Sequence, residues 1–229
     1  MTGKPKQKRS VGRPKDSKGE EGRSALIAAG SQLFSNQGYA ATTIAQLAKV
    51  AGVTPAMVHY YFGGKDKLLQ AVLAQAYGPL MDQILGIETL EEWVHAVHAI
   101  MMKNRWLPLL MQREVLMEGG HLKATFLAEY ASQFAPKWIA MLQGEKKAGR
   151  LRAEVNEFRH MVFLIALIVY PFLVGQIVTP LQGGLFSDDE LYRFRDDALM
   201  MFRMGTSPQA PGTGAELTEF TETTKKQAP

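Results

Sequence analysis

The chain of 229 residues contains no cysteine, which excludes disulfides, thiolate nucleophiles and cysteine-held zinc or iron–sulfur centres. It also lacks a Gly-rich phosphate loop, a paired-histidine metal signature and a nucleophile elbow, so a role without catalysis, cofactor or metal is expected. His95 and His98 stand three apart, but no carboxylate pattern accompanies them to complete a ligand set. There is no run of period-two alternation and no internal repeat, which argues against sheet and against a solenoid. The most apolar run, Met161 to Gly175, is shorter than the roughly 20 residues of a spanning helix, and Pro171 interrupts it. It is expected to be a helix buried on every side, with no membrane partner. The basic start has no apolar segment of the kind that directs secretion, and a cytoplasmic location is expected.

What remains is a chain with 46% hydrophobic residues, ample for a packed core. Its charge is uneven. Residues 1–70 hold eleven Lys/Arg against four Asp/Glu, a balance of +7, whereas residues 71–229 balance at −3. A polyanion is the expected partner of the first third. Residues 1–22 are rich in Lys, Gly, Ser and Pro and read as a disordered basic arm; residues 205–229, with Pro208, Pro211, Gly212 and Gly214, read as a disordered tail. Between them the pattern predicts an all-α protein with a small helical domain over 23–70 and a larger one over 71–204.

In the small domain, Leu26, Ala29, Gly30, Leu33 and Phe34 fall on one helix face, which Gly38 ends. Thr43-Ile44-Ala45-Gln46 is a capping-box pattern opening a short helix from about 44 to 50. Ala51-Gly52-Val53 makes a tight turn, and Thr54 and Pro55 suit the cap and first position of a third helix running to about Phe62. Two short helices joined by a Gly-containing turn are the mark of a helix-turn-helix. Thr54, Pro55 and Met57 occupy the leading end of its second helix, where side chains meet base edges in a major groove, with His59 and Tyr60 one turn further on.

The stretch AATTIAQLAKVAGVTPAMVHYYFGGKDKLLQAVL resembles the DNA-binding domain of the TetR family of regulators, matching in the order and spacing of T-x-x-x-L-A, the AGV turn, the aromatic-rich helix ending in Phe62, and K-x-x-L-L. His59 stands where that family generally has Tyr, Tyr61 where it often has His, and Gly64 where Ser or Asn is commoner. The resemblance implies that Thr43, Tyr60 and Lys65 hold phosphates and that Ala45 and Gln46 face the groove. It further implies a homodimer on double-stranded operator DNA, with the last two helices pairing across a four-helix interface. In the arm, Gly12-Arg13-Pro14 resembles an AT-hook core whose Arg13 enters an A·T-rich minor groove. A solvated basic tail adding only salt-sensitive affinity is the alternative.

A helix from Lys65 to about Ile84, carrying Leu68, Leu69, Val72, Leu73 and Leu80, would link the two domains. Further helices are expected over 89–103, 106–118, 122–149, 154–178 and 188–203. Large apolar walls with a few polar groups suit a small-molecule effector, and Met101, Arg105, Trp106, Phe126, Phe163 and Tyr170 are the candidates. The expected function is a ligand-released repressor. An activator or co-repressor-dependent regulator, and an architectural DNA-binding protein, are the alternatives.

Overall fold

The computed structural model describes residues 15–84, 86–182 and 186–208, and these are helical, with no strand among them. Arg13 and the proposed hook lie outside the described residues, as does most of the expected tail. The elements are α1 (Lys15–Ala41), α2 (Ile44–Ala51), α3 (Pro55–Phe62), α4 (Lys65–Ile84), α5 (Leu90–Lys103), α6 (Leu107–Met111), α7 (Lys123–Phe126), α8 (Ser132–Lys147), α9 (Glu157–Gln182) and α10 (Asp188–Thr206). α6 runs on into a π-helical turn, Gln112–Leu116, and α7 into a second one, Leu127–Ala131. Residues 15–22, expected in the arm, are instead the first turns of α1.

The described residues up to Gln75 form one compact unit together with Leu110–Leu122; Ala76–Leu109 and the described residues from Lys123 onward form the other. The boundary expected near residue 70 therefore falls inside α4, and a segment expected in the larger domain belongs to the smaller unit.

The first unit is organised around Leu26, Ile27, Ala29 and Phe34 of α1, Leu47 and Ala48 of α2, Val58 of α3, and Leu68, Leu69, Val72 and Leu73 of α4, all buried. The apolar spacing anticipated for α1 and α4 is the spacing that meets this core. Helical backbone in α1 breaks at Gly38, whose φ of 81° and ψ of 166° suit a residue without a Cβ.

The second unit packs Leu90, Trp93, Val94 and Val97 of α5 against Trp138 and Leu142 of α8, Met161, Leu164 and Ile168 of α9, and Ala198 and Phe202 of α10. Charged groups brace the same helices. Arg203 Nη2 donates to Glu91 Oε1 at 2.6 Å and Nη1 to Glu145 Oε2 at 2.6 Å. Arg150 reaches the other oxygen of the buried Glu145 at 2.6 Å. The Arg150 guanidinium, seconded by Arg203, holds the Glu145 carboxyl below its ordinary value against the opposing effect of burial.

α9 departs from expectation in two ways. It passes through Pro171 without a break, because the bond lost to one proline is a small part of what a 26-residue helix gains by packing. Its 19-residue stretch Glu157–Gly175 has a mean hydropathy of 1.9, long and apolar enough to cross a membrane by those measures alone. Within the single chain one side of α9 is buried and the other is left for a partner surface, as the expectation of an interface helix requires. Met161, Leu164 and Ile168 face the core, whereas Phe158, Val162, Phe163, Leu167 and Tyr170 are exposed. With Met201 of α10 the exposed side chains Phe163, Leu167 and Tyr170 line an open groove of about 530 Å³.

Candidate nucleic-acid interface

α2 is started by a reciprocal pair of hydrogen bonds. Gln46 N–H donates to Thr43 Oγ1 at 3.2 Å, and Thr43 N–H donates to Gln46 Oε1 at 2.8 Å. Two of the donors that a helix start leaves unpaired are thereby satisfied. Gln37 adds a third partner, its Nε2 donating to Gln46 Oε1 at 3.3 Å. α2 ends at Gly52 in the left-handed conformation (φ 67°, ψ 29°), and Val53 N–H returns to Ala48 O at 2.9 Å. That turn delivers the chain to Thr54, extended at φ −83° and ψ 151°, and to Pro55 at the first helical position of α3. The Thr54 hydroxyl makes no capping bond.

Leu47, Ala48 and Val58 anchor the pair of helices inward. Outward stand Thr43, Ala45 and Gln46 of the α2 side and Thr54, Pro55, His59 and Tyr60 of the α3 side, all exposed. Tyr60 is 82% exposed, with its ring edge-on to Tyr61 at 5.0 Å. Such a surface offers hydroxyls, an amide and small apolar groups on rigid helices, which suits base edges and phosphates.

Two expected members are placed differently. Met57 is half-buried, its methyl group packed near Gly22 of α1. Lys65 is half-buried too, and its Nζ donates to Tyr39 O at 2.9 Å and to Thr42 O at 2.7 Å while lying 4.0 Å from the Tyr39 ring centroid. Two of the three ammonium donors are thus committed, leaving a phosphate only the third. Carbonyls at the end of α1 attract the ammonium as a phosphate would. Unforeseen in the sequence is the part played by Tyr39, Glu114 and His121, which meet beside this corner; no linear motif marks them.

The six effector candidates do not converge. Met101 is buried and Trp106 half-buried, while Phe126 packs edge-on to the buried Tyr77 at 5.5 Å. Arg105 is exposed and paired with Asp188. Phe163 and Tyr170, 54% and 61% exposed, belong to the outer groove of α9 and α10. His98 is buried, with Nε2 donating to Leu191 O at 2.9 Å, and burial pushes its imidazole below its usual value. His95 is exposed, so the two histidines do not form a joint site.

The model of "Bacterial regulatory proteins, tetR family" matches residues 26–72, from within α1 to the first turns of α4, the span that carries this surface. The transcriptional regulator BetI of Rhizobium meliloti (strain 1021) is 39% identical over 64 residues, 28% of this chain and 32% of that protein. The transcriptional repressor KstR2 of Rhodococcus jostii (strain RHA1) is 25% identical over 150 residues, 62% of this chain and 74% of that one. The chain thus spans only about a third of the length of the first of these relatives. Among solved structures, native NalD, the secondary repressor of the MexAB-OprM multidrug efflux pump in Pseudomonas aeruginosa, shares the fold with a TM-score of 0.61 at 21% identity, over 83% of this chain and 99% of that one. On the capped helix pair and the family match over it, residues 26–72 form a helix-turn-helix segment of the tetR family of bacterial regulatory proteins.

Proposed function

We propose that the protein is a transcriptional regulator that binds a near-palindromic operator in double-stranded DNA as a homodimer, and that a small, largely apolar ligand releases it. It acts as a repressor, in the cytoplasm, without a catalytic step. The observation that carries this reading is the exposed face of α3 and α2, with Thr54, Pro55, His59 and Tyr60 toward solvent behind buried Val58 and Leu47. On this reading Thr43, Tyr60 and the third donor of Lys65 take phosphates, and Ala45, Gln46, Thr54 and Pro55 approach the bases.

Dimer formation is supported by the exposed apolar side of α9 and α10, since covering the exposed parts of Phe163 (54%) and Leu167 (36%) would recover about half and a third of the roughly 1.5–3 kcal/mol that full burial of such a side chain is worth. Two-fold pairing also doubles the contacts of a small reading helix. The effector would enter the second unit, where Met101 is buried and Trp106 and Phe126 are half-buried.

The test is selection of duplexes from a random library at moderate salt, followed by a comparison of affinity for the selected and for random DNA. A regulator prefers the selected duplex by about a thousandfold or more. A ratio near unity would leave an architectural protein instead.

A further inference from the structure

The corner between α1 and α2 is gripped from two sides. Lys65 takes the carbonyls of Tyr39 and Thr42, as described; at the other backbone group of the same residue, Tyr39 N–H donates to Glu114 Oε1 at 2.7 Å. Glu114 is only 5% exposed. Its second oxygen accepts from His121 N–H at 3.3 Å and faces His121 Nδ1 at 3.2 Å. The His121 ring lies against Tyr39 with centroids 4.1 Å apart, and the Tyr39 hydroxyl reaches the Asp66 carboxylate at the start of α4. A buried carboxylate is held in place by such donors, because losing them would cost far more than an exposed acid loses.

The segment that presents Glu114 is itself shaped for the task. Glu114 sits in the π-helical turn, and Leu122 N–H closes the following loop by donating to Glu114 O at 2.8 Å. Gly120 packs so tightly there that a Cβ would overlap the Glu114 backbone. π-Helical turns are rare and collect at functional positions.

We propose that Glu114 is a positioning residue for DNA reading: it grips the Tyr39 amide and so fixes where Thr43 and the outward face of α2 stand. The proposal rests on the DNA-binding reading above. Without the carboxylate, the Tyr39 N–H must re-pair with water, and the four residues from Tyr39 to Thr42 lose the anchor at their leading end while Lys65, Gln37 and Asp66 still hold the rest. The base contacts assigned to Ala45 and Gln46 carry the sequence preference and tolerate little slack, whereas phosphate contacts carry no sequence information and recur along any duplex.

The experiment uses the full-length chain, a duplex selected by the wild type and a random duplex of equal length. Glu114→Ala is expected to bind the selected duplex about tenfold more weakly, with affinity for the random duplex within about twofold. Glu114→Gln, which keeps an acceptor for Tyr39 N–H, should recover the selected-duplex affinity to within about threefold. Hydrogen exchange of the Tyr39 to Gln46 amides should quicken in the alanine variant, well below its unfolding temperature, while α10 stays protected. Wild-type binding by Glu114→Ala, or an equal loss on both duplexes, overturns the proposal. If Glu114→Ala does not fold, His121→Ala decides: a selectivity lowered about threefold supports the grip and an unchanged one refutes it. A wild-type chain that selects no sequence at all fails earlier, and sinks the DNA-binding reading itself.

Discussion

α3 and α9 both leave apolar and aromatic groups in water, but of different kinds. On α3 the exposed groups are small or carry a polar tip: Thr54, Pro55, His59 and the phenol of Tyr60. On α9 they are mostly Phe158, Val162, Phe163, Leu167 and Ile177, with the hydroxyl of Tyr170, His160 and Arg159 as polar neighbours among the described residues. A surface of the first kind gains by meeting a partner that is itself hydrated and charged. The second kind gains only by meeting its like. On the proposed function the first face meets nucleic acid and the second meets another protein surface, so substitutions in one should leave the other's binding unchanged.

The largest effect is expected from Leu167→Asp, which puts a charge on the α9 face. Self-association should weaken by a hundredfold or more, given the several kcal/mol that burying an unpaired charge costs, as measured by sedimentation. An unchanged dimer would show that α9 pairs with nothing. Next comes Tyr60→Ala, expected to weaken binding to a selected duplex by about tenfold, or about 1.4 kcal/mol, and to leave sedimentation unaltered. If it alters both, the two faces are not separate. Thr43→Ala removes the oxygen that caps α2 and should lower the stability of the first unit by about 1 kcal/mol in denaturant unfolding.

The smallest effect concerns acid. The Glu145 carboxyl titrates below its ordinary 4.5 because Arg150 and Arg203 bind its charged form. Its contribution is therefore complete above pH 4.5 and is lost as the pH falls through the lower folded-state value. Thermal unfolding of the wild type should show this decline, and Glu145→Gln should flatten it; equal slopes would remove Glu145 from the balance.

Much of the first unit is legible in the sequence because its signals are local. Thr43 and Gln46 are three residues apart, Gly52 and Pro55 bracket one turn, and the apolar spacing of α4 repeats along a single helix. The outward stand of Tyr60 follows from the same periodicity, with Val58 facing inward. What escapes is non-local. Glu114 reads as an ordinary solvated acid until the fold brings it within 2.7 Å of the Tyr39 amide, 75 positions away. Lys65 reads as a free cation for the same reason. α9 escapes differently: with nearly every residue apolar, no periodic contrast remains to tell Met161 and Leu164, which face the core, from Phe163 and Tyr170, which do not.

Thr54 supplies a last consequence. It occupies the cap of α3 without closing the bond a threonine there commonly makes, which is worth about 1 kcal/mol to a helix start. The first turn of α3 is held instead by the fixed φ of Pro55 and by the bond from Met57 N–H to Thr54 O at 3.0 Å, which keeps the turn closed while the Thr54 hydroxyl stays out of the cap at the exposed leading end.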